Sequence, residues 1–337
     1  MFCCKKTDLD IWNGELKDFV PDTIFDFHCH IWLCDHMRGG WSIESSSPSL
    51  PFTCAEFPVE RLTGAESILF PGKRVTMLMF GLPRKEVDIA RNNEYVSSSS
   101  RKVNGYGLMI PPLDASSDEL DAMISRGSFV GFKPYWTFVT WKEQNEVRID
   151  DMVTEAQLEV ANARKLIILL HIPRELRLAD PDNLDSIKRM ARRYPNARLV
   201  IAHVGRSYCT WPAKEGLGQL KDLENVYFDT AMVQNPVVYQ LLFRKVSLER
   251  ILFGTDLPIA WEKGRVVCVN ERNLFVTAKP YPWSLSAPGE KALECTYFAY
   301  ESLRAIKEAA ELEDLSPTQL KPIFYDNAKR IVEDVAK

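Results

Sequence analysis

The chain has 337 residues, of which 46% are hydrophobic and 26% are charged, and its net charge is −4. This composition is typical of a globular protein with a sizeable core, and it excludes a basic surface for nucleic acid. No apolar run reaches the roughly 18 residues of a membrane span. Because no apolar segment follows Lys5 and Lys6, we expect no secretory signal, a cytoplasmic location and eight reduced, mostly buried cysteines.

Eight short apolar segments recur along the chain, and helical patterns separate most of them. Apolar strands that alternate with helices indicate a parallel sheet buried on both faces. Eight such units predict an α/β fold, a (β/α)8 or TIM barrel formed by one domain over residues 1–337. An open doubly wound sheet is the alternative, but its Gly-x-Gly-x-x-Gly fingerprint is missing. The predicted strands are 24–30, 74–80, 104–110, 128–135, 166–171, 198–203, 226–230 and 251–256.

Three segments do not follow this alternation of strands and helices. Residues 1–22 are expected to form an N-terminal arm that leads to the first strand. Residues 31–73 form a lid-like insert after strand one, since loops this long inside compact domains are usually functional. Residues 257–289 form a second long loop after strand eight. The helices predicted in and after these segments are 56–70, 290–311 and 316–335.

The first strand ends in two histidines, His28 and His30, and Asp26 precedes them on the same face. A rise of about 3.3 Å per residue places the two histidines roughly 6.5–7 Å apart at Cα. Both imidazoles can then reach one metal ion. The motif is short, and by itself it describes two core histidines equally well.

Three further strands end in His171, His203 and Asp256, and Lys133 lies within the fourth strand. In a barrel, the carboxyl ends of the strands carry the chemistry. A satisfied structural role explains any one of these residues. Their joint placement at strand ends is much harder to obtain from packing, so the sequence predicts a metal-centred site there.

The motifs together resemble one known family. His-x-His, the HVGR that begins at His203, the GTDLP around Asp256 and the DNAKR of residues 326–330 resemble the metal-dependent hydrolases of the amidohydrolase superfamily. More narrowly, the chain resembles the branch that includes aminocarboxymuconate semialdehyde decarboxylase. The resemblance covers residues 22–335, and it implies a (β/α)8 barrel that holds one divalent metal, zinc first and manganese second.

The resemblance also implies roles for the strand-end residues. His203 would lie beside the metal and stabilise an oxyanion, while Asp256 would carry a proton from water to the leaving group. Asp26 would hold backbone or the second nitrogen of a ligand. In binuclear branches a fourth-strand lysine carries CO₂ and bridges two metals, but we expect Lys133 to be unmodified. The implied metal ligands are His28, His30, His171 and Asp256.

Arginines and tryptophans follow the same strand ends. A guanidinium suits a carboxylate, and Arg174, Arg177 and Arg206 come directly after His171 and His203. Each alone is equally typical of a solvated arginine, and packing under long loops explains the tryptophans nearly as well. As a group they predict a small anionic substrate. The predicted substrate-binding residues are Arg174, Arg206, Lys133 and Trp32.

We therefore expect a metal-dependent hydrolase that uses a metal-activated water to cleave a C–O or C–N bond. The alternative is a non-oxidative decarboxylase of an aromatic or unsaturated acid on the same metal. A barrel that binds without turnover is a third reading, but it has no need of the proton carrier Asp256. The sequence leaves open the substrate, the metal and the oligomeric state, a homodimer included.

Overall fold

The computed structural model describes residues 4–40, 42, 51, 53–287 and 294–335. It shows a mixed α/β fold with parallel strands. Most of the Ser- and Pro-rich part of the first insert lies outside the described residues, as does the predicted start of the helix at 290. Among the described residues, no helix is long and apolar enough to cross a membrane.

Eight parallel strands follow the predicted order, and their apolar side chains are largely buried. The first strand is one residue longer than predicted, the others are as long as predicted or shorter, and three consist of two residues each. Hydrogen bonds join them into a sheet ordered β1-β2-β3 and a sheet ordered β4-β5-β6-β7-β8. The strands are β1 Thr23–His30, β2 Arg74–Phe80, β3 Tyr106–Gly107, β4 Gly131–Phe132, β5 Ile167–Leu170, β6 Arg198–Ile201, β7 Val226–Asp229 and β8 Ile251–Leu252.

Backbone hydrogen bonds also join the two sheets at both edges. On one side, the amide of Lys133 donates to the carbonyl of Met109 at 2.8 Å. On the other, Phe27 donates to Phe253 at 2.9 Å. The fold is therefore consistent with a (β/α)8 barrel, in which the carboxyl ends of all strands meet at one face.

Helices lie between the strands and after them. The helical segment between β4 and β5 consists of two helices separated at Val153 and Thr154, and the predicted last helix is interrupted at Tyr325. The sequence analysis did not predict the helix over 210–220. The helices are α1 Lys6–Ile11, α2 Val59–Leu69, α3 Ile89–Lys102, α4 Ser117–Gly127, α5 Ile149–Met152, α6 Glu155–Arg164, α7 Pro181–Arg193, α8 His203–Arg206, α9 Thr210–Leu220, α10 Pro236–Lys245, α11 Phe298–Leu312, α12 Pro317–Phe324 and α13 Asp326–Glu333.

The N-terminal arm is helical and belongs to the core. After α1 the chain makes a π-helical turn, and Trp12 stacks on Tyr300 of α11 with 5.9 Å between ring centroids. Asp8 is fully buried, accepts a hydrogen bond from the Thr296 hydroxyl at 2.9 Å and forms an ion pair with Lys263. The arm therefore packs against segments from the last quarter of the chain.

The prediction of one long loop over 257–289 is wrong for residues 264–277. Strands β9 (Gly264–Val269) and β10 (Arg272–Thr277) form an antiparallel hairpin. Its two turn residues, Asn270 and Glu271, have φ of 49° and 61°. A two-residue turn with positive φ usually carries Asn-Gly or Asp-Gly. Because Glu271 stands where that signal has glycine, the hairpin was not recognised from the sequence.

The prediction of reduced, mostly buried cysteines is also wrong. Cys209 and Cys268 form a disulfide with their Cα atoms 5.8 Å apart. Among the described cysteines outside this disulfide, Cys29 is buried, whereas Cys4 and Cys34 are exposed. The disulfide spans 59 residues, and it exists because the hairpin folds back on the loop before α9.

Candidate metal centre

The strand-end residues meet in one cavity of about 670 Å³. His28 and His30 belong to the end of β1, whereas His203 and Asp256 follow β6 and β8. Asp256 has a φ of 72°, a conformation that turns the chain sharply after the last strand. The site is thus built from the ends of separate strands, and His171 enters the same cavity after β5.

Three of these histidines have their tautomer fixed by a hydrogen bond at Nδ1. Each Nδ1 faces a carbonyl or carboxylate oxygen, which can only accept, so Nδ1 carries the proton in the neutral ring. The Nε2 atoms of His28, His30 and His203 therefore keep their lone pairs. The acceptors are Asp229 Oδ2 at 2.8 Å, Gly81 O at 3.1 Å and Ala231 O at 3.0 Å, respectively.

The three Nε2 atoms converge on the carboxylate of Asp256. Its Oδ1 lies 3.5 Å from His28 Nε2 and 3.3 Å from His30 Nε2, and its Oδ2 lies 3.9 Å from His203 Nε2. Lone pairs that face a carboxylate repel it unless a cation or a proton lies between them. Imidazole nitrogen and carboxylate oxygen are ligands that Zn²⁺ takes. The residues present therefore fit a divalent metal.

The ionisation states suit the same role. Burial lowers the pKa of His28 well below its usual value, and burial together with the Arg206 guanidinium does so for His171. Burial alone would raise the pKa of Asp256, but positive charge on the imidazoles beside it lowers that pKa to about 2, and a cation bound there would act in the same direction. Neutral imidazoles and an ionised carboxylate are the forms that bind a metal.

Two buried aspartates support these ligands from behind. Asp26 accepts hydrogen bonds from the backbone amides of His28 at 3.0 Å and Thr255 at 2.9 Å, so it links β1 to the segment after β8. Asp229 holds the second nitrogen of His28 and also accepts from the His203 amide at 2.7 Å. The sequence analysis missed Asp229, although it ends an apolar strand as the predicted site residues do.

His171 and Lys133 are buried beside this cluster. The His171 ring stacks on Tyr135 at 5.0 Å and lies 5.4 Å from the His203 ring, while its Nδ1 has no hydrogen-bond partner among the described residues. Lys133 Nζ likewise has none there and lies 5.4 Å from the Tyr135 ring centroid. Burial lowers the pKa of Lys133 to about 8, against the attraction of Asp229 and Asp256.

Arginines line the next part of the cavity wall, but they differ in their partners. The guanidinium of Arg174 is held by Asp180 at 3.0 Å and Asp182 at 3.3 Å. Arg177 and Arg206 form no ion pair with any carboxylate in the described part of the chain. Burial and the charge of Arg206 lower the pKa of Arg177 to about 10, which still leaves it protonated at neutral pH. We call Arg177 and Arg206 the arginine pair.

Part of the cavity wall is apolar and is formed by residues outside the eight parallel strands. Trp32 is fully buried in the wall, and its indole donates to the Ala55 carbonyl at 2.8 Å. Leu176, Trp211 and Leu274 line the cavity and remain 37–46% exposed. Leu274 belongs to the β9–β10 hairpin, which therefore forms part of the outer wall.

Solved structures with the same fold are numerous, but their sequences are distant. The chain superposes on a probable 2-pyrone-4,6-dicarboxylic acid hydrolase from Acinetobacter baumannii with a TM-score of 0.59, at 13% identity over 92% of this chain and 99% of that one. For a 4-oxalomesaconate hydratase from Rhodopseudomonas palustris the TM-score is 0.54, at 16% identity over 93% and 96%. For a 5-carboxyvanillate decarboxylase from Sphingomonas paucimobilis it is 0.55, at 11% identity over 93% and 99%. At such identities the likeness shows the fold alone.

Sequence comparison places the chain in a family. No curated protein matches it in sequence. The model of one family, described as amidohydrolase, matches residues 25–333, which include every strand-end residue described above. The chain belongs to the amidohydrolase family and is a metal-dependent enzyme of the amidohydrolase type.

Proposed function

We propose that this enzyme hydrolyses a C–O or C–N bond of a small anionic substrate, with one divalent metal as cofactor, Zn²⁺ first and Mn²⁺ second. The observation that carries the proposal is the convergence of the His28 and His30 Nε2 lone pairs on ionised Asp256, beside an arginine pair that has no carboxylate partner among the described residues. We also propose a single domain over residues 1–337 that closes as a (β/α)8 barrel. The hydrogen bonds at both sheet edges support that closure.

In this proposal His28, His30, His171 and Asp256 hold the metal, which when bound supplies activation of a water molecule and polarisation of the scissile group. Asp256 is ionised and 16% exposed to the cavity, so it can take the proton of the attacking water and pass it to the leaving group. His203 is fixed by the Ala231 carbonyl, and in its protonated form its Nε2 donates to the oxyanion that develops.

The cavity wall supports an anionic substrate. Arg206 extends one guanidinium nitrogen to the carbonyls of Ile172 and Arg174, at 3.2 and 3.3 Å, and its charge meets no described carboxylate. Arg174 lies close by, but Asp180 and Asp182 already bind its guanidinium. Arg174 would therefore help to position the substrate without supplying an uncompensated charge. Unmodified Lys133 would place a positive charge beside the Tyr135 ring. Trp32 would offer an apolar surface to the uncharged part of the substrate.

Metal analysis of matched histidine variants tests the ligand assignment. Purification without chelator should give one divalent metal per chain, and His171→Ala should lose it. His203→Ala should keep the metal and lose turnover, because this residue is proposed to act on the substrate. Metal loss from His203→Ala with retention in His171→Ala would exchange the two roles. An absence of metal from the wild-type protein would overturn the proposal.

Decarboxylation is the second candidate. The arginine pair suits a carboxylate, and structures with this fold include a 5-carboxyvanillate decarboxylase and a 2,6-dihydroxybenzoate decarboxylase. The two candidates differ in product. We would incubate the metal-loaded enzyme with these two acids and with 2-pyrone-4,6-dicarboxylate, and measure CO₂ release against proton release. CO₂ release without hydrolysis would replace the hydrolase proposal by the decarboxylase.

A further inference from the structure

The β9–β10 hairpin touches the arginine pair through one side chain, Asn273. We infer that Asn273 is a positioning residue that holds Arg177 for the substrate anion, and that the Cys209–Cys268 disulfide keeps Asn273 in place. The inference rests on the anionic substrate of the proposed function and goes beyond it, because it assigns specificity to a hairpin outside the strand ends.

Strand alternation directs alternate residues of β10 towards the cavity. Asn273 is half-buried and Phe275 is buried on one face of β10, whereas Leu274 between them lines the cavity near its opening and is exposed. The side-chain oxygen of Asn273 accepts a hydrogen bond from Arg177 Nη2. Phe275 packs edge-on against Tyr208 at 6.3 Å, and the Arg177 guanidinium lies over the same Tyr208 ring at 5.6 Å. The hairpin therefore meets Arg177 directly and through an aromatic neighbour.

The hairpin is fixed on the side that faces the arginine pair. Cys268 of β9 is bonded to Cys209, the residue after Tyr208. At the tip, the Glu271 carboxylate accepts a hydrogen bond from the Trp211 amide at 3.0 Å. The disulfide and this hydrogen bond attach the hairpin to the segment from Cys209 to Trp211, which follows His203 in the chain. These two attachments therefore set the distance between β10 and the guanidinium of Arg177.

A comparison of Arg174 with Arg177 shows why residue 273 carries a side-chain amide. Arg174 is bound by the carboxylates of Asp180 and Asp182, which neutralise it. Arg177 is bound by the carboxamide of Asn273 and the carbonyl of Arg206, which orient it and leave its charge uncompensated. An oriented guanidinium with its charge intact is suited to bidentate binding of a carboxylate. This contrast identifies Arg177, rather than Arg174, as the partner of the substrate.

The test uses the metal-loaded, full-length enzyme and two probes that differ in charge, benzoate and benzamide. Their dissociation constants are measured by isothermal titration, and the ratio of the two is the readout. We expect Arg177→Met to reduce the preference for benzoate about tenfold or more, the usual effect of losing a hydrogen bond to a charged group. Asn273→Asp should reduce it nearly as much, because its carboxylate neutralises Arg177, and Asn273→Ala should reduce it less.

Two controls separate position from charge. Arg265→Met removes an arginine from the outer side of the same hairpin, where Arg265 lies 3.7 Å from Glu301, and it should leave the ratio unchanged. Reduction of the wild type with a phosphine should lower the preference for benzoate, and the Cys268→Ser variant should show the lowered value with or without reductant. Thermal melting confirms that each variant is folded.

The outcomes distinguish this inference from the proposed function. If Arg177→Met lowers the preference for benzoate while Asn273→Asp and Asn273→Ala do not, the positioning role of Asn273 is overturned and the anionic substrate stands. If Arg177→Met also leaves the ratio unchanged, the anion site of the proposed function fails with it. If reduction of the disulfide changes nothing, the disulfide has no part in placing Asn273.

Discussion

The two ends of the cavity are built differently. The inner end takes His28, His30 and Asp256 from the ends of strands or from the residues just after them, and two buried aspartates hold these side chains or their backbone. The outer end takes its residues from loops and from a hairpin that is attached by a disulfide and a few hydrogen bonds. Barrel enzymes keep the reacting groups on the scaffold and vary the loops. In this chain the difference assigns chemistry to the inner end and selectivity to the outer end.

The largest expected effect comes from removing a ligand at the inner end. His28→Ala removes the Nε2 atom proposed to bind the metal, and it leaves Asp229 buried without its imidazole partner. We therefore expect the metal and the activity to be lost together. Elemental analysis after dialysis without chelator measures the first, and turnover the second. Trp211→Ala at the outer end should keep its metal. Full metal content in His28→Ala would place the site elsewhere and remove the contrast between the two ends.

Asp256→Asn separates metal binding from proton transfer within the inner end. Three histidines can still hold an ion, as they do in other zinc sites. The amide cannot accept a proton, so we expect much of the metal to remain and turnover to fall by about 10²–10⁴. Metal content and turnover are measured on the same preparation. A variant that keeps both would show that the proton travels by another route, and His203 is the nearest group that could carry it.

Asp229→Asn tests the support behind the ligands. The amide can no longer stabilise the Nδ1–H of His28 with a negative charge, and such changes weaken metal affinity about 10–100-fold. Titration against a chromophoric chelator gives the affinity. Turnover at saturating metal should stay close to that of the wild type. An unchanged affinity would mean that strand geometry alone orients the imidazole.

The smallest effect concerns stability and leaves both ends of the cavity intact. Burial and the neighbouring Asp26 raise the pKa of Glu66 well above 4.5, its ordinary value. The folded chain therefore keeps a proton that the unfolded chain releases above that pH, so wild-type stability declines as the pH rises towards the folded pKa. Glu66→Gln has no such proton. Its unfolding free energy relative to the wild type should therefore rise between pH 5 and pH 8. Equal curves in denaturant at both pH values would contradict this.

The sequence predicts the inner end far better than the outer end. Strand β5 is apolar throughout and β2 is apolar from Met77 to Phe80, so the ends of these strands and the residues that follow them can be identified from the pattern alone. The β9–β10 hairpin alternates weakly and turns on Asn270 and Glu271 without glycine. Its disulfide joins residues 59 positions apart, a pairing that no local pattern encodes.

The partners of charged side chains also lie beyond the sequence. Arg174, Arg177 and Arg206 look alike in the chain, and only the folded loops show that the carboxylates go to Arg174. Asp229 illustrates the same limit, because its role depends on meeting His28 across 201 residues. The local spacing of residues can thus predict a metal ligand, whereas the group that orients this ligand is identified only in the folded structure.

The helical arm has a consequence for how the protein is made. Asp8 is separated by 255 residues from Lys263 and by 288 from Thr296, the distant partners of its side chain. At about 5–20 residues per second, the ribosome needs roughly 13–50 s to reach Lys263 after it has added Asp8. During that time the apolar face that carries Trp12 and Leu16 has no α11 to cover it. Helix α1 is therefore synthesised long before the segments on which it docks, and it docks only when Lys263 and α11 have been made.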